Sequence, residues 1–164
     1  SNELMAATYR NLYGIPSSGL RFFTVYGPWG RPDMAIYKFT KAIMGNKPLP
    51  VFAEGKLLRD FTYIDDIVGG IKAILEQQKT TPAPAVMNIG NHNPVTVNDL
   101  ISELEVCLGH KAVIEHLPMQ PGDVKATFAD ISLINSYCGF KPQTDLKAGL
   151  RKFCDWYLEY AGKR

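Results

Sequence analysis

Two arginines carry the clearest chemistry in the chain. Arg31 stands in the run Arg21-Phe-Phe-Thr-Val-Tyr-Gly-Pro-Trp-Gly-Arg-Pro-Asp-Met-Ala35, which passes from an apolar strand into a Gly/Pro-rich loop. Arg59 opens Arg59-Asp60-Phe61-Thr62-Tyr63-Ile64-Asp65-Asp66, an extended stretch that runs straight into a helix start. A guanidinium presents a planar fork of donors that suits phosphate or carboxylate oxygens better than a lysine point charge does. Strand ends that spill into loops of this kind are where open α/β sheets seat ligands. Spacing alone leaves two readings of Arg59 open: an anion reader, or a surface arginine paired with its neighbour Asp60.

Other chemistries find little support. His92, His110 and His116 have no metal-ligand spacing with Cys or Asp, so surface placement is expected and no metal site. A Gly-x-Ser-x-Gly nucleophile turn and a glycine-rich dinucleotide loop are both missing, and Gly69-Gly70 falls inside a helical pattern. Cys107, Cys138 and Cys154 are odd in number and spread out, which points to reduced thiols in a cytoplasmic setting. Cys107 and Cys154 fall among helical apolar positions, where packing is their role.

The elements that must position the arginines follow from periodicity. The 164 residues, 46% hydrophobic and 21% charged, describe one soluble domain or a piece of a larger one. A net charge of +2 with no basic run argues against nucleic acid. No apolar run approaches the roughly 18 residues of a membrane span. Met5, Tyr9, Leu12 and Tyr13 predict a helix ended by Gly14, and Gly19 to Val25 a strand. Asp33 is expected to cap a helix carrying Ile36, Phe39, Ile43 and Met44. Leu49–Phe52 and Leu57–Ile64 read as extended, and Asp65 or Asp66 as the cap of a helix bearing Ile67, Ile71, Ile74 and Leu75 on one face. Ala85–Gly90 predicts a buried parallel strand, and Thr96 with Asp99 a capped helix. Lys111–Leu117 is a strand, Pro118–Asp123 a loop, Asp130 the cap of a short helix and Thr144 the cap of the last. Alternating strands and helices predict an α/β fold.

The Arg-Asp-Phe-x-x-Ile-x-Asp block at Arg59–Asp66 and the run Thr24–Ala35 resemble the extended short-chain dehydrogenase/reductase family. Within it, they are similar to the nucleotide-sugar 4-epimerases acting on UDP-glucuronate. That resemblance implies the C-terminal part of a Rossmann-type enzyme: the last sheet strands plus a small mixed α/β substrate-binding portion, spanning all of 1–164. It implies that Arg59 binds the nucleotide diphosphate and that Asp123, in Pro118-Met-Gln-Pro-Gly-Asp123, holds the ribose hydroxyls. Gln120 stands where many galactose-type members have arginine. Leu49-Pro-Val-Phe52 matches the stretch that cradles the base, with Phe52 against it. Phe23 and Tyr26 match positions near the nicotinamide of NAD, and Thr24 stands where many relatives carry asparagine.

The resemblance also implies the chemistry. Oxidising C4 of UDP-glucuronate makes a β-keto acid that decarboxylates when its carboxylate stands perpendicular to the carbonyl plane. Thr24 and Arg31 are the local donors able to hold that carboxylate. The family's glycine loop, Ser/Thr and Tyr-x-x-x-Lys pair are expected upstream of Ser1, and Ser1-Asn2 reads as an expression scar. The chain is then expected to be inactive alone and not to retain NAD. Intact, the enzyme would be a cytoplasmic homodimer making UDP-galacturonate for polysaccharide. Two alternatives stand beside this reading: a fragment of a nucleotide-sugar 4,6-dehydratase or decarboxylase, and a non-catalytic sugar-nucleotide-binding module.

Overall fold

Runs of apolar residues at helical spacing alternate with short β-branched and aromatic runs, and the chain folds accordingly. The computed structural model of the chain describes residues 1–162. In order, the elements are α1 (Asn2–Tyr13), β1 (Gly19–Phe22), β2 (Thr24–Tyr26), α2 (Ala35–Met44), β3 (Pro48–Phe52), β4 (Leu58–Arg59) and β5 (Phe61–Tyr63). Then come α3 (Ile64–Gln77), β6 (Val86–Ile89), β7 (Val95–Thr96), α4 (Val97–Leu108), β8 (Val113–Leu117), α5 (Ser132–Cys138) and α6 (Leu146–Tyr160).

The strands pair two by two. β1 lies parallel to β6, β2 to β5 and β3 to β8, while β4 and β7 run antiparallel. This is the mixed α/β architecture expected. One expectation is corrected: Gly19–Val25 is two strands, not one. At Phe23 the backbone still donates to the Ile89 carbonyl (3.3 Å), and at Thr24 it turns to the Asp60 carbonyl (3.1 Å). The chain therefore changes partner between these residues, which brings Phe23 and Thr24 beside the Arg59–Asp60 segment.

Two main cores hold the layers. Tyr26, Phe61 and Tyr63 pack under Leu104, Leu150 and Phe153, joining β2 and β5 to α4 and α6. Ile67, Ile74, Met87, Ile89, Ile134 and Phe140 join α3 and α5 to β6. No residue of α1 is buried: Leu4, Met5, Tyr9, Leu12 and Tyr13 all face outward.

Helix starts divide by how local their caps are. Thr96 and Asp99 form the expected capping box, with Asp99 N–H donating to Thr96 Oγ1 (3.0 Å). The other expected caps are corrected. Met34, not Asp33, precedes α2, and Tyr63 precedes α3. Asp66 instead receives the backbone N–H groups of Gln143 (3.1 Å) and Thr144 (3.0 Å). Ile131 precedes α5, although Asp130 still accepts from Ser132 N–H (2.9 Å). Asp145 rather than Thr144 caps α6, accepting from Ala148 N–H (2.7 Å).

Cys154, 2% exposed, meets Cys107 where α6 packs on α4. Burial, then the neighbouring Cys107, pushes its thiol from 9.0 up to about 12. A folded value above the unfolded one favours the native state fully below 9.0, and that contribution is lost as pH climbs toward 12. The melting temperature should therefore decline through this alkaline window. Native Cys154 should resist iodoacetamide at about pH 8, where almost no thiolate exists. Rapid labelling of Cys154 in folded protein, read by peptide mass mapping, would contradict this.

Candidate functional site

Asp60 ties the site together. It is 0% exposed. Its Oδ1 accepts from Asn91 N–H (3.1 Å), and its Oδ2 from His92 N–H (3.0 Å) and Ala129 N–H (2.8 Å). With its carbonyl on Thr24, it joins β2, the turn after β6 and the segment ahead of α5. A carboxylate is tolerated in such a place only when donors of this kind replace water. The reading of Arg59 as the partner of Asp60 is thereby corrected, because both oxygens of Asp60 are committed to backbone amides. Gly90 is required beside it: a Cβ there would stand 2.5 Å from Ala129 Cβ and 3.1 Å from Asp60 Oδ2.

Arg59 turns to Asp123 instead. Residues 125–127 run alongside β4, with Leu58 N–H donating to Lys125 O (2.9 Å) and Thr127 N–H to Leu58 O (3.1 Å). That register places Asp123 at the guanidinium, Nη2 to Oδ1 2.6 Å, with the two side chains 19% and 28% exposed. Nη1 donates to the carbonyls of Leu58 and Val124, both at 2.9 Å. Of five donor hydrogens, three are used. Among the described residues no acceptor meets Nε or the second Nη2 hydrogen. Asp123 Oδ1 also takes Val124 N–H (2.9 Å), whereas Oδ2 accepts from no described residue. A donor edge and an acceptor oxygen thus stand open side by side.

An apolar hollow of about 330 Å³ is walled by Pro50, Phe52, Leu57 and Val97, with Asp33 and Lys38 also in its lining. Leu57 and Arg59 are two positions apart in extended chain and so share a side. Phe52 lines this hollow. Leu57, Val97 and the Val124 carbonyl were not anticipated; the alternation at Leu57 was the available signal. Gln120 is exposed, and its carbonyl receives Asp123 N–H (3.2 Å), closing the turn that presents Asp123.

A second hollow, also about 330 Å³, is lined by Phe23, Val25, Trp29, Gly30, Arg31 and Met34. It brings Phe23 and Arg31 together, whereas half-buried Thr24 is not among the residues that line it. Arg31 is 74% exposed and grips Asp33 through Nε (3.0 Å) and Nη2 (2.5 Å). These bonds hold the Asp33 carboxyl below the usual carboxylate range. Exposure screens such a pair heavily, so Arg31 can exchange partners at little expense. Trp29 has φ 62°, unusual for a bulky residue, and its ring lies tilted 5.4 Å from Trp156 and edge-on 5.6 Å from Tyr160 on α6.

Two tyrosines turn away from both hollows. Tyr26, expected near a nicotinamide, is corrected to a core residue: its ring is 5% exposed and its hydroxyl donates to Leu146 O (3.4 Å) under α6. Burial raises its pKa above the ordinary phenol value. Tyr37 and Lys41 form a Tyr-x-x-x-Lys spacing in α2 that the sequence reading passed over. The Tyr37 ring packs edge-on against Phe153 (6.4 Å) and Tyr157 (5.4 Å), and Lys41 is exposed, so the pair is structural.

Known proteins carry the same pattern. Residues 1–90 match the NAD dependent epimerase/dehydratase family. The probable UDP-glucuronate 4-epimerase of Rhizobium meliloti is 41% identical over 96% of this chain and 51% of its own length. UDP-glucuronate 4-epimerase 4 of Arabidopsis thaliana is 48% identical over 98% of this chain and 40% of its own. The structure of UDP-glucuronic acid 4-epimerase from Bacillus cereus, in complex with UDP-glucuronic acid and NAD, superposes with a TM-score of 0.90 at 39% identity. It covers 98% of this chain and 51% of that one. The chain spans about half the length of the curated relatives it matches. With its strand pairing, its Arg59 block and these matches together, the chain belongs to the NAD-dependent epimerase/dehydratase family.

Proposed function

We propose that the chain is the substrate-holding portion of an NAD-dependent nucleotide-sugar 4-epimerase that interconverts UDP-glucuronate and UDP-galacturonate. The observation that carries this is the open edge of Arg59 beside the open oxygen of Asp123, together with the apolar hollow that Phe52 lines. A nucleoside diphosphate offers the complement of each: a planar base for the Phe52 hollow, phosphate oxygens for Arg59 and ribose hydroxyls for Asp123. Gln120 shapes the turn and stands within reach as a polar neighbour. The apolar, aromatic lining at Phe23 fits a nicotinamide ring. NAD, held by the whole enzyme, supplies the acceptor for the C4 hydride.

The chain's own part is to hold the sugar. Arg31, released from Asp33, and the Thr24 hydroxyl fix the substrate carboxylate as an anion, in a geometry that disfavours loss of carbon dioxide. Neither Tyr26 nor Tyr37 lines the Phe52 hollow or the Phe23 hollow, where a proton acceptor would be needed. The isolated chain is therefore proposed to bind nucleotide without turning it over. The outward apolar face of α1 supports burial against further protein, the remainder of the enzyme or a second subunit of a homodimer. Three unpaired cysteines suit the cytoplasm. No helix among the described residues is long and apolar enough to cross a membrane.

Titration calorimetry with UDP and UDP-glucuronate tests the reading. Both should bind the chain, and Arg59→Ala should weaken them by about 10- to 100-fold, as expected for losing a charge-assisted fork. Equal binding by the variant would refute the nucleotide assignment.

A further inference from the structure

We infer that Trp29 is a positioning residue: its ring, held by α6, sets the loop that carries Arg31, and thereby the site's preference for a sugar bearing a carboxylate. The inference rests on the Arg31 reading above and deepens it. Gly30 N–H donates to Gly27 O (3.1 Å), closing a turn with Pro28 and Trp29 at its centre. Proline fixes its own φ near about −65°. With Trp29 at φ 62° this is the pattern of a type II turn, whose second central place suits glycine. A bulky ring on a left-handed backbone is strained, and persists only where contacts around it over-determine it.

Those contacts come from one helix end. The Trp29 ring meets Trp156 and Tyr160, and these two stack on each other at 5.1 Å with their planes 17° apart. Trp156 is in turn 5.7 Å from Phe153, which is 1% exposed, so the clamp is rooted in the core. Arg31 follows two residues later, and a second turn begins on it, Met34 N–H donating to Arg31 O (3.2 Å). Arg31 thus stands between two turns, the first of them held by the indole. Trp29 also belongs to two hollows. It lines the one that holds Phe23 and Arg31, and a smaller one of about 120 Å³ with Tyr37, Trp156 and Tyr160. A wall common to both therefore moves whenever the indole does. Asp33 cannot do this positioning, because it lies on the same loop, is itself 55% exposed and travels with Arg31.

The experiment is calorimetry on the full chain with three probes: UDP, UDP-glucose and UDP-glucuronate. The ratio of the last two affinities reads the carboxylate preference. The unaltered chain should favour UDP-glucuronate by at least about tenfold, the worth of one charge-assisted contact. Trp29 is 78% exposed and Tyr160 58%, so replacing either leaves the core intact. Trp29→Gly removes the ring and relieves the backbone: its melting temperature should change little, while the preference falls to within about twofold of unity. Tyr160→Ala, which leaves the loop's own sequence untouched, should lower the preference by about threefold or more. UDP, which lacks the pyranose, should bind every variant within about twofold of the unaltered chain. A Trp29→Gly chain that loses stability and weakens alike toward all three probes would make the residue merely structural and overturn the inference. So would a preference that survives Trp29→Gly while Arg31→Ala abolishes it; the Arg31 reading then stands. If Arg31→Ala keeps the preference, or the unaltered chain shows none, the carboxylate reading falls and the inference with it.

Discussion

Asp60→Ala should destabilise the chain severely. The substitution strands the buried N–H of Ala129 and the part-buried N–H groups of Asn91 and His92, all three of which Asp60 accepts from. Each unsatisfied buried group is worth about 1–3 kcal/mol, so a total near 3–5 kcal/mol is expected. That is a large part of the whole stability of an ordinary domain. The damage should also reach the site, since Ala129 anchors the segment that carries Asp123. Urea denaturation followed by circular dichroism measures it. A loss below about 1 kcal/mol would show that water or rearranged chain replaces the carboxylate, and the account of the network would be wrong. Asp60→Asn should fall between the two, because one oxygen survives while an amide nitrogen faces a donor.

Gly149→Val should be the next most damaging change, against local expectation. Gly149 sits inside α6, where replacing glycine normally helps by about 1 kcal/mol because it reduces the freedom of the unfolded chain. Here a Cβ would press on the Tyr26 hydroxyl, and would stand 2.9 Å from Tyr26 Cζ and 3.1 Å from Tyr63 Cδ2. Those rings are buried between β2, β5 and α6 and have no room to swing. Overpacking of this sort costs about 1–3 kcal/mol for small additions, and the branched valine should bring the loss to about 3 kcal/mol. Moving Tyr26 also shifts the start of the Arg31 loop, so the hollow beside Arg31 should change shape as stability falls. Thermal melts of the alanine and valine variants give the measurement. A stabilised Gly149→Ala would mean that α6 lifts off β2 freely.

What could be read from the residues alone follows the range of the forces involved. The Thr96–Asp99 box was legible because both partners sit within one turn. Ala85–Gly90 was legible as a parallel strand because its burial on both faces is written in its composition. Asp66 was not: its carboxylate serves the backbone of Gln143 and Thr144, 77 and 78 residues away, and no local pattern announces that. Asp33 failed as a cap because Arg31, two residues before it, claims its oxygens. Gly19–Val25 looked like one strand because propensity does not say where a chain changes neighbours. Within the site, a spacing argument offered Asp60 to Arg59, yet burial gave Asp60 to three amides and left Arg59 to Asp123, 64 residues on. Only the likeness of the two loops to a family placed those residues together beforehand. Tyr26 misled for the opposite reason: its place at a strand end was right, and the side it faces was not.

The chain has two tryptophans, Trp29 and Trp156, and both lie in the same aromatic cluster beside the Arg31 loop. Indole emission from this protein therefore comes from one spot, and its wavelength and intensity follow the posture of that loop. The molecule carries its own optical gauge for the Arg31 loop. The surroundings of Phe52 and Arg59 stay dark.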